Sequence, residues 1–362
     1  MKQRRILLIS ISAVLGGAEV YLERLAAILT GTAELFAVCN HPALADKLRA
    51  RGVRVFTVPA LFGRRAHRAA KYPLALCVAL WVIVRHRIQT VHLNGYQTAF
   101  VSMPAGVLGC NTFMTPHHLP TGRSTLWWYA ANARWVHCAI NVSGVVNRQH
   151  RTLLPAMQSV VIPNWMPDIP DHRSGRIVPQ HRQVLFVGRL VHNKGLQDIL
   201  DAIRELHSSI ALIVTGKGPE RKNYERLAIG LPVRFSGYVP DLAKLYRQVD
   251  ALIVPSHGPE GSCLVALEAM ANGLPCIMSD LAVYREIAQD GAAALLFPVG
   301  DSHALAASIQ RLTNDPDLGT ELAANAYRMV KSQYSVEAIS EAYLRVFDLA
   351  PATQEMRQGA RS

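Results

Sequence analysis

No hydrophobic run in this 362-residue chain approaches the roughly 20 residues that a helix needs to cross a bilayer. The 13 mostly apolar residues Tyr72–Val84 fall short. So does Ile6–Ile11, which follows the charged start Met-Lys-Gln-Arg-Arg. That run has no small-residue cleavage site after it, so it reads as a first strand rather than a signal peptide. Cysteine is sparse: positions 39, 77, 110, 138, 263 and 276, with no C-x-x-C. Scattered singly in or beside apolar runs, they read as core thiols of a reducing compartment. There is no low-complexity tract, sustained heptad or internal repeat. No G-x-G-x-x-G follows a strand-like run, and Gly216-x-Gly218 alone does not make a dinucleotide dehydrogenase. Acidic residues are scarce through residue 175, with 6 Asp/Glu against 19 Lys/Arg. From 176 onward the numbers are 20 and 19. The surplus of cations therefore lies in the first half. No recognition module or basic-aromatic motif accompanies it, which turns the expectation from nucleic acid to an anionic membrane surface. The basic residues Arg64, Arg65, Arg68 and Lys71 precede Tyr72–Val84, and Arg85 and Arg87 follow it. Such a segment can dock on a bilayer interface, be buried in its domain, or do both with different faces.

What is present is alternation. Short β-type runs occur at 6–11, 35–38, 53–58, 90–93, 112–114, 137–142 and 160–162. They recur at 184–187, 211–214, 233–235, 251–254, 276–278 and 294–297, with helical stretches between them. This is the α/β pattern with mostly parallel sheets. Between Pro163 and Pro179 lie four prolines in a polar, aperiodic stretch, which reads as a linker. The predicted organisation is a first domain over 1–168, a linker over 169–182, a second domain over 183–345, and a helix end with a loose tail over 346–362. After 303 helices are predicted at 304–312, 317–332 and 336–349. Asp315-Pro316-Asp317 matches a D-x-D pattern in letters only; Asp317 reads more simply as a helix start. No metal is expected.

In parallel α/β sheets, ligands bind beyond the C-terminal ends of strands. Those positions hold Gly16-Gly17-Ala18-Glu19, Asn94-Gly95, His117-His118 and Ser143 in the first half. In the second half they hold Gly188-Arg189 with Lys194-Gly195, Gly216-Lys217-Gly218, Gly237-Tyr238 and Pro255-Ser256 leading to Glu260. Glu260 and Glu268 are eight positions apart, with Gly261-Ser262 between them as a helix-start signature. A helix N-terminus attracts anions through its free N–H groups and its dipole. Glu268 lies six residues beyond Ser262, about 9 Å along a helix. That is roughly the span from a diphosphate to the ribose of one nucleotide. Arg189 and Lys194 beside a glycine turn are two fixed cations able to hold a diphosphate and neutralise it as it leaves.

Gly188–Gly195, Gly216–Glu220 and Glu260–Ala271 resemble the retaining glycosyltransferases of family 4, of the bacterial cell-envelope polysaccharide type. The similarity extends from Gly16–Glu19 through Val161-Ile162-Pro163-Asn164 to the last helices. The resemblance implies a GT-B fold, two Rossmann-like domains facing across a cleft. It implies that Arg189 and Lys194 bind the donor phosphates, that Glu268 takes the ribose, and that Glu260 touches the transferred sugar. Gly188, Gly216, Gly261, Ser262, Leu264 and Val265 would line the donor, with Gly237, Tyr238 and Val239 framing the base. Gly16 and Gly17 would close over phosphates or acceptor. His117 matches the family's cleft histidine near the sugar C6 and the reacting centre, with His118 beside it. The catalytic set is thus His117, Glu260, Arg189 and Lys194. Three departures stand out. Ser262-Cys263 replaces an aromatic-glycine pair, Lys217 stands where an acid is common, and Ala282-Val283 replaces Gly-Gly before Glu286.

The expected activity is transfer of a hexose-type sugar from a UDP- or GDP-sugar, with retention, to a saccharide acceptor. A polyprenyl-diphosphate-linked glycan of exopolysaccharide, O-antigen or lipopolysaccharide synthesis fits the basic first half. The expected place is the cytoplasm, peripheral on the anionic inner leaflet, with no cofactor. Two alternatives share the features: a GT-B nucleotide-sugar epimerase or phosphorylase, and a non-catalytic partner subunit that binds a nucleotide-sugar or glycan.

Overall fold

All thirteen runs predicted as strands are extended, and every strand pair is parallel. The computed structural model describes residues 3–12, 16–59, 65–120, 122–171, 182–207 and 209–349, with backbone alone for 65–71. The strands are β1 (Arg4–Ser10), β2 (Ala33–Cys39), β3 (Arg54–Thr57), β4 (Thr90–Asn94), β5 (Asn111–Thr115), β6 (Cys138–Asn141) and β7 (Ser159–Val161). They continue as β8 (Gln183–Val187), β9 (Ala211–Thr215), β10 (Val233–Gly237), β11 (Ala251–Val254), β12 (Cys276–Ser279) and β13 (Leu295–Phe297). Central strands such as Ile6–Ile9 and Ala251–Val254 are buried along their whole length. A parallel sheet is covered on both faces, so its strands are continuous apolar runs rather than alternating ones.

The chain divides into two units, Met1–Pro163 with Glu337–Ser362, and Asn164–Val336. The first unit holds a seven-stranded sheet in the order β3-β2-β1-β4-β5-β6-β7. The second holds a six-stranded sheet in the order β10-β9-β8-β11-β12-β13. The predicted class, two parallel α/β domains, is what the chain adopts.

The boundaries differ from those predicted. Asn164–Asp171 already belongs to the second unit, where Met166 N–H donates to Tyr334 O at 2.7 Å and Tyr327 Oη donates to Pro170 O at 3.1 Å. Of the predicted linker, residues 172–181 lie outside the described residues. The last helix, Val336–Val346, falls up to residue 345 within the predicted second domain, yet its residues from Glu337 pack with the first unit. Two aromatic side chains explain this. Tyr343 is fully buried and its hydroxyl donates to Tyr21 Oη at 3.0 Å. Phe347, in the helix end predicted to reach 349, is fully buried against Phe113 and His92, 4.9 and 5.9 Å between ring centres. Residues 350–362 of the predicted tail lie outside the described residues.

The segment around Tyr72–Val84 forms one helix, Arg65–His86. One of its faces is buried and another is open. Ala75, Ala79, Val82 and Ile83 pack into the core of the unit. On another face Leu74, Trp81 and Val84 are exposed, Trp81 by 53% and Val84 by 64%. Helix Ser102–Val107 packs beside it and beside helix Arg123–Ala133. These neighbours expose Met103, Val107 and Trp127. Arg64 lies outside the described residues, as do the side chains of 65–71. No helix among the described residues is long and apolar enough to cross a membrane.

Candidate functional site

Each sheet reverses its strand order once, and a crevice opens where neighbouring crossovers diverge. In the second unit the reversal is between β8 and β11, which pair directly. The loops that follow those two strands carry Gly188–Gly195 and Pro255–Glu260.

Those loops are bonded to one another. His257 N–H donates to Asn193 O at 2.9 Å, and Asn193 Nδ2 donates to Gly258 O at 3.4 Å. His257 Nε2 meets Asp198 Oδ2 at 2.7 Å. Lys194 Nζ donates to Glu260 Oε1 at 2.5 Å. Gly195 permits this approach. Its φ is +69° and an added Cβ would lie 1.9 Å from Pro255 O, so no other residue fits. Gly216 does the same for the β9 loop, with φ +135° and an added Cβ 1.8 Å from Gly188 O. Its N–H donates to Gly237 O at 2.7 Å, which brings the β10 loop alongside. Gly188, Gly195, Gly216 and Gly237 therefore knit four strand ends into one surface. Arg189 and Lys217 are exposed on it, and Tyr238 is 65% exposed beyond β10.

Helix Leu264–Ala271 follows the β11 loop. The helix start expected at Gly261-Ser262 falls two residues later: Cys263 is the N-cap, Leu264 the first helical residue, and no described side chain caps it. Ser262 thus lies in the loop. Glu268 is half-buried on the helix, about 7 Å along its axis from Cys263. Burial pushes the Cys263 thiol up to about 11, and Glu260 adds to this. Cys263 is consequently a protonated, packed thiol beside the ion pair.

In the first unit the reversal is between β1 and β4, where Ser10 and Asn94 pair in register. Gly16 N–H donates to Glu19 Oε2 at 2.9 Å. The Glu19 carboxyl is buried, which raises its pKa; bonds to Gly16 and Ser12 oppose the rise. Ser10 Oγ donates to Glu19 Oε1, and Asn94 Nδ2 donates to Ser10 Oγ, each at 3.3 Å. Asn94 Oδ1 lies 2.8 Å from His117 Nε2. His117 follows β5 with φ +59° and stands edge-on to Tyr21, 4.9 Å between ring centres. Burial, with help from His118 and His92, lowers its pKa to about 3, so the ring is neutral. His118 meets the ring of Tyr96 instead.

With these two strand-end clusters in view, the family is decided by comparison. A model described as "Glycosyltransferase Family 4" matches residues 15–167, and one described as "Glycosyl transferases group 1" matches residues 169–329. The chain belongs to glycosyltransferase family 4. It is similar to the lipopolysaccharide core biosynthesis glycosyltransferase LpsE of Rhizobium meliloti, 32% identical over 46% of this chain and 50% of that one. It is also similar to a phosphatidyl-myo-inositol mannosyltransferase of Mycobacterium leprae, 35% identical over 46% of each chain. The chain spans about half the length of the curated relatives it matches. The crystal structure of Anabaena HepE in complex with UDP-glucose is similar in fold, with a TM-score of 0.81 at 19% identity over 96% of this chain and all of that one.

Within this family 4 chain, the second unit carries Gly188, Arg189, Lys194, Gly216, Tyr238, Val239, Glu260, Gly261, Ser262, Leu264, Val265 and Glu268 on the loops and helix beyond its strands, and Gly237 as the last residue of β10. Gly16, Gly17 and His117 lie at the corresponding edge of the first sheet. Sequence reasoning missed His257 and Asp198, whose contact joins residues 59 apart. It also missed Ser10 and Tyr21, which only the fold brings to Asn94 and His117. The helix after Asp315-Pro316 is capped by Asp315, whose Oδ1 accepts from Leu318 N–H at 2.9 Å, rather than by Asp317. Among the described residues no three His, Cys, Asp or Glu side chains are grouped as metal ligands.

Proposed function

We propose that the chain transfers a hexose-type sugar from a UDP- or GDP-sugar to a saccharide acceptor, with retention of configuration. The observation that carries this is the Lys194–Glu260 pair at the strand-order reversal of the second unit, with Arg189 beside it. A diphosphate seated on these loops meets the cations of Arg189 and Lys194 and the N–H groups of uncapped helix starts at Leu196 and Leu264. Glu268 then accepts the ribose hydroxyls, and Glu260 faces the sugar. Tyr238 and Val239 frame the base. By the family resemblance His117 contacts the sugar, and Gly16 and Gly17 contact phosphates or acceptor.

The bond from sugar C1 to the diphosphate oxygen breaks as the acceptor oxygen bonds to C1 on the same face. The leaving phosphate oxygen takes the acceptor's proton. Arg189 and Lys194 stabilise the charge that develops on the leaving group, so in this proposal the chain needs no metal or other cofactor. The acceptor is a lipid-linked glycan, such as a polyprenyl-diphosphate saccharide of the cell envelope. Its side of the protein rests peripherally on the anionic cytoplasmic leaflet. The relatives' names, lipopolysaccharide core biosynthesis and phosphatidyl-inositol mannosylation, support a glycolipid acceptor. So do the exposed Trp81 and Val84 on the helix that carries Arg85, and the exposed Trp127, together with the cationic surplus of the first half.

A panel of UDP- and GDP-sugars, scored by thermal shift and then by turnover with and without glycolipid acceptor, tests this. One donor should stabilise the protein and be turned over faster with acceptor. Conversion of donor to an epimer without acceptor, or no donor bound at millimolar concentration, would sink the proposal.

A further inference from the structure

Among the described residues one hydrogen bond of the His117 ring decides which of its nitrogens carries the proton. Nε2 lies 2.8 Å from Asn94 Oδ1. The amide of Asn94 cannot be turned around. Its Nδ2 lies 3.0 Å from the carbonyl oxygen of Ala18, which can only accept, and 3.3 Å from Ser10 Oγ. The Ser10 hydroxyl spends its own proton on Glu19 Oε1. Each donor in this chain is thus committed in one direction, from Asn94 to Ser10 to Glu19. The amide oxygen that remains faces His117 and accepts only, so Nε2 must donate.

We propose that Asn94 is a positioning residue that locks His117 in its Nε2–H tautomer. His117 then offers Nδ1 as a neutral acceptor that takes a sugar hydroxyl and rejects a carboxylate in the same place. This rests on the reading of His117 as the residue that receives the donor sugar, and it narrows the donor to hexoses rather than hexuronic acids. Among the described residues no carboxylate touches the ring. The titratable groups facing it are His118 from the same loop, His92 from β4 and Tyr21 from helix Gly17–Leu29. Glu19 reaches it only through Ser10 and Asn94. The two histidines favour the neutral form. A carboxylate set against the Nδ1 lone pair would be one acceptor against another, with its charge unpaired.

The test uses the full chain labelled with carbon-13 and nitrogen-15 histidine, the His117 signals being those lost in His117→Gln. The expected spectrum between pH 5 and 7 is that of a neutral Nε2–H ring. An Nδ1–H ring or an imidazolium at pH 7 overturns the proposal, whatever the donor chemistry proves to be. In hydrolysis, UDP-glucose should be preferred to UDP-glucuronate, or GDP-mannose to GDP-mannuronate, by roughly a hundredfold in kcat/KM. In Asn94→Asp a carboxylate would hold protons on both ring nitrogens, and that preference should shrink about tenfold or more. Equal use of both donors by the wild type, or an unchanged preference in a folded Asn94→Asp whose ring is imidazolium, also overturns it. If His117→Gln turns over as fast as the wild type, the sugar-facing role fails instead, and the spectrum still decides the tautomer.

Discussion

Replacing Lys194 by alanine separates catalysis from stability more cleanly than any other change at this site. Lys194 Nζ stands 2.5 Å from Glu260 Oε1, with the two side chains 30% and 12% exposed. An ammonium has three donor protons. Glu260 takes one, which leaves two for the leaving diphosphate. Removing a preorganised donor of developing charge costs about 2.7–4 kcal/mol, so kcat should fall by about 10²–10³. The fold should lose far less. The pair sits at the water's edge, where ion pairs contribute about 0.2–1 kcal/mol, and Glu260 can be hydrated once Lys194 is gone. For a unit of this size, about 1 kcal/mol lowers Tm by about 2–4 °C. Initial rates at saturating donor and calorimetry on the same sample read both quantities. The companion Glu260→Gln should also lower kcat, and the double variant should lose less than the two losses multiplied, because the pair acts together. A kcat within about threefold of wild type would refute the assignment of Lys194. So would a loss of rate that only tracks unfolding.

Gly195→Ala should lower Tm by at least about 4 °C and weaken nucleotide binding, because a left-handed alanine costs about 1–2 kcal/mol before its Cβ meets Pro255 O. A Tm within about 1 °C of wild type would show that the two loops are not locked together as described. Acid should destabilise the first unit. His92 and His150 are buried, with pKa values lowered by burial to about 3 and about 4, whereas the unfolded chain takes up protons near 6.5. The unfolded state therefore binds more protons below pH 6.5. Stability is full above that value and falls as pH drops toward about 4, by up to roughly 1.4 kcal/mol per pH unit for each histidine. His92→Phe, in a pocket already lined by Tyr21 and Phe347, should flatten the slope of stability against pH by about a third, because burial holds His117 neutral as well. An unchanged slope would mean that His92 does not titrate on unfolding. Trp81→Ser with Val84→Ser should weaken sedimentation with anionic vesicles at low salt by about tenfold while leaving turnover of a soluble acceptor intact. If the wild type does not sediment at all, the lipid part of the proposal fails.

The strands were legible because burial on both faces leaves no polar alternation to confuse with a loop; Ala251–Val254 and Cys276–Ser279 are apolar end to end apart from Ser279. Their C-terminal ends then located most candidate residues. Three things were not legible, each for a physical reason. Helix Val336–Val346 shows an apolar face in its sequence, but the face does not say what it will pack on, and Tyr343 and Phe347 choose the first unit. Ser262 has the letters of a helix cap, yet the turn runs on to Cys263, whose φ of −131° and ψ of 84° end the loop there. His257 with Asp198, and Ser10 with Asn94, are contacts across loops and strands, and no spacing along the chain encodes them.

The charge around the second unit's strand ends is compatible with the proposed placing of Glu260 against an anionic donor. Glu260 and Glu268 bring two negative charges; Arg189, Lys194 and Lys217 bring three positive ones, and two uncapped helix starts add about half a charge each. Lys194 cancels Glu260 locally, so the carboxylate does not repel a diphosphate arriving on Arg189. Lys217 matters more than its exposed position implies. It stands where the family commonly has an acid, and that exchange shifts the local charge by two units. The balance left for a ligand is therefore positive and close to the two charges of a nucleoside diphosphate ester. Replacing Lys217 by glutamate would cancel it, and donor affinity should then fall steeply below wild type at low ionic strength, the gap narrowing as salt screens the difference.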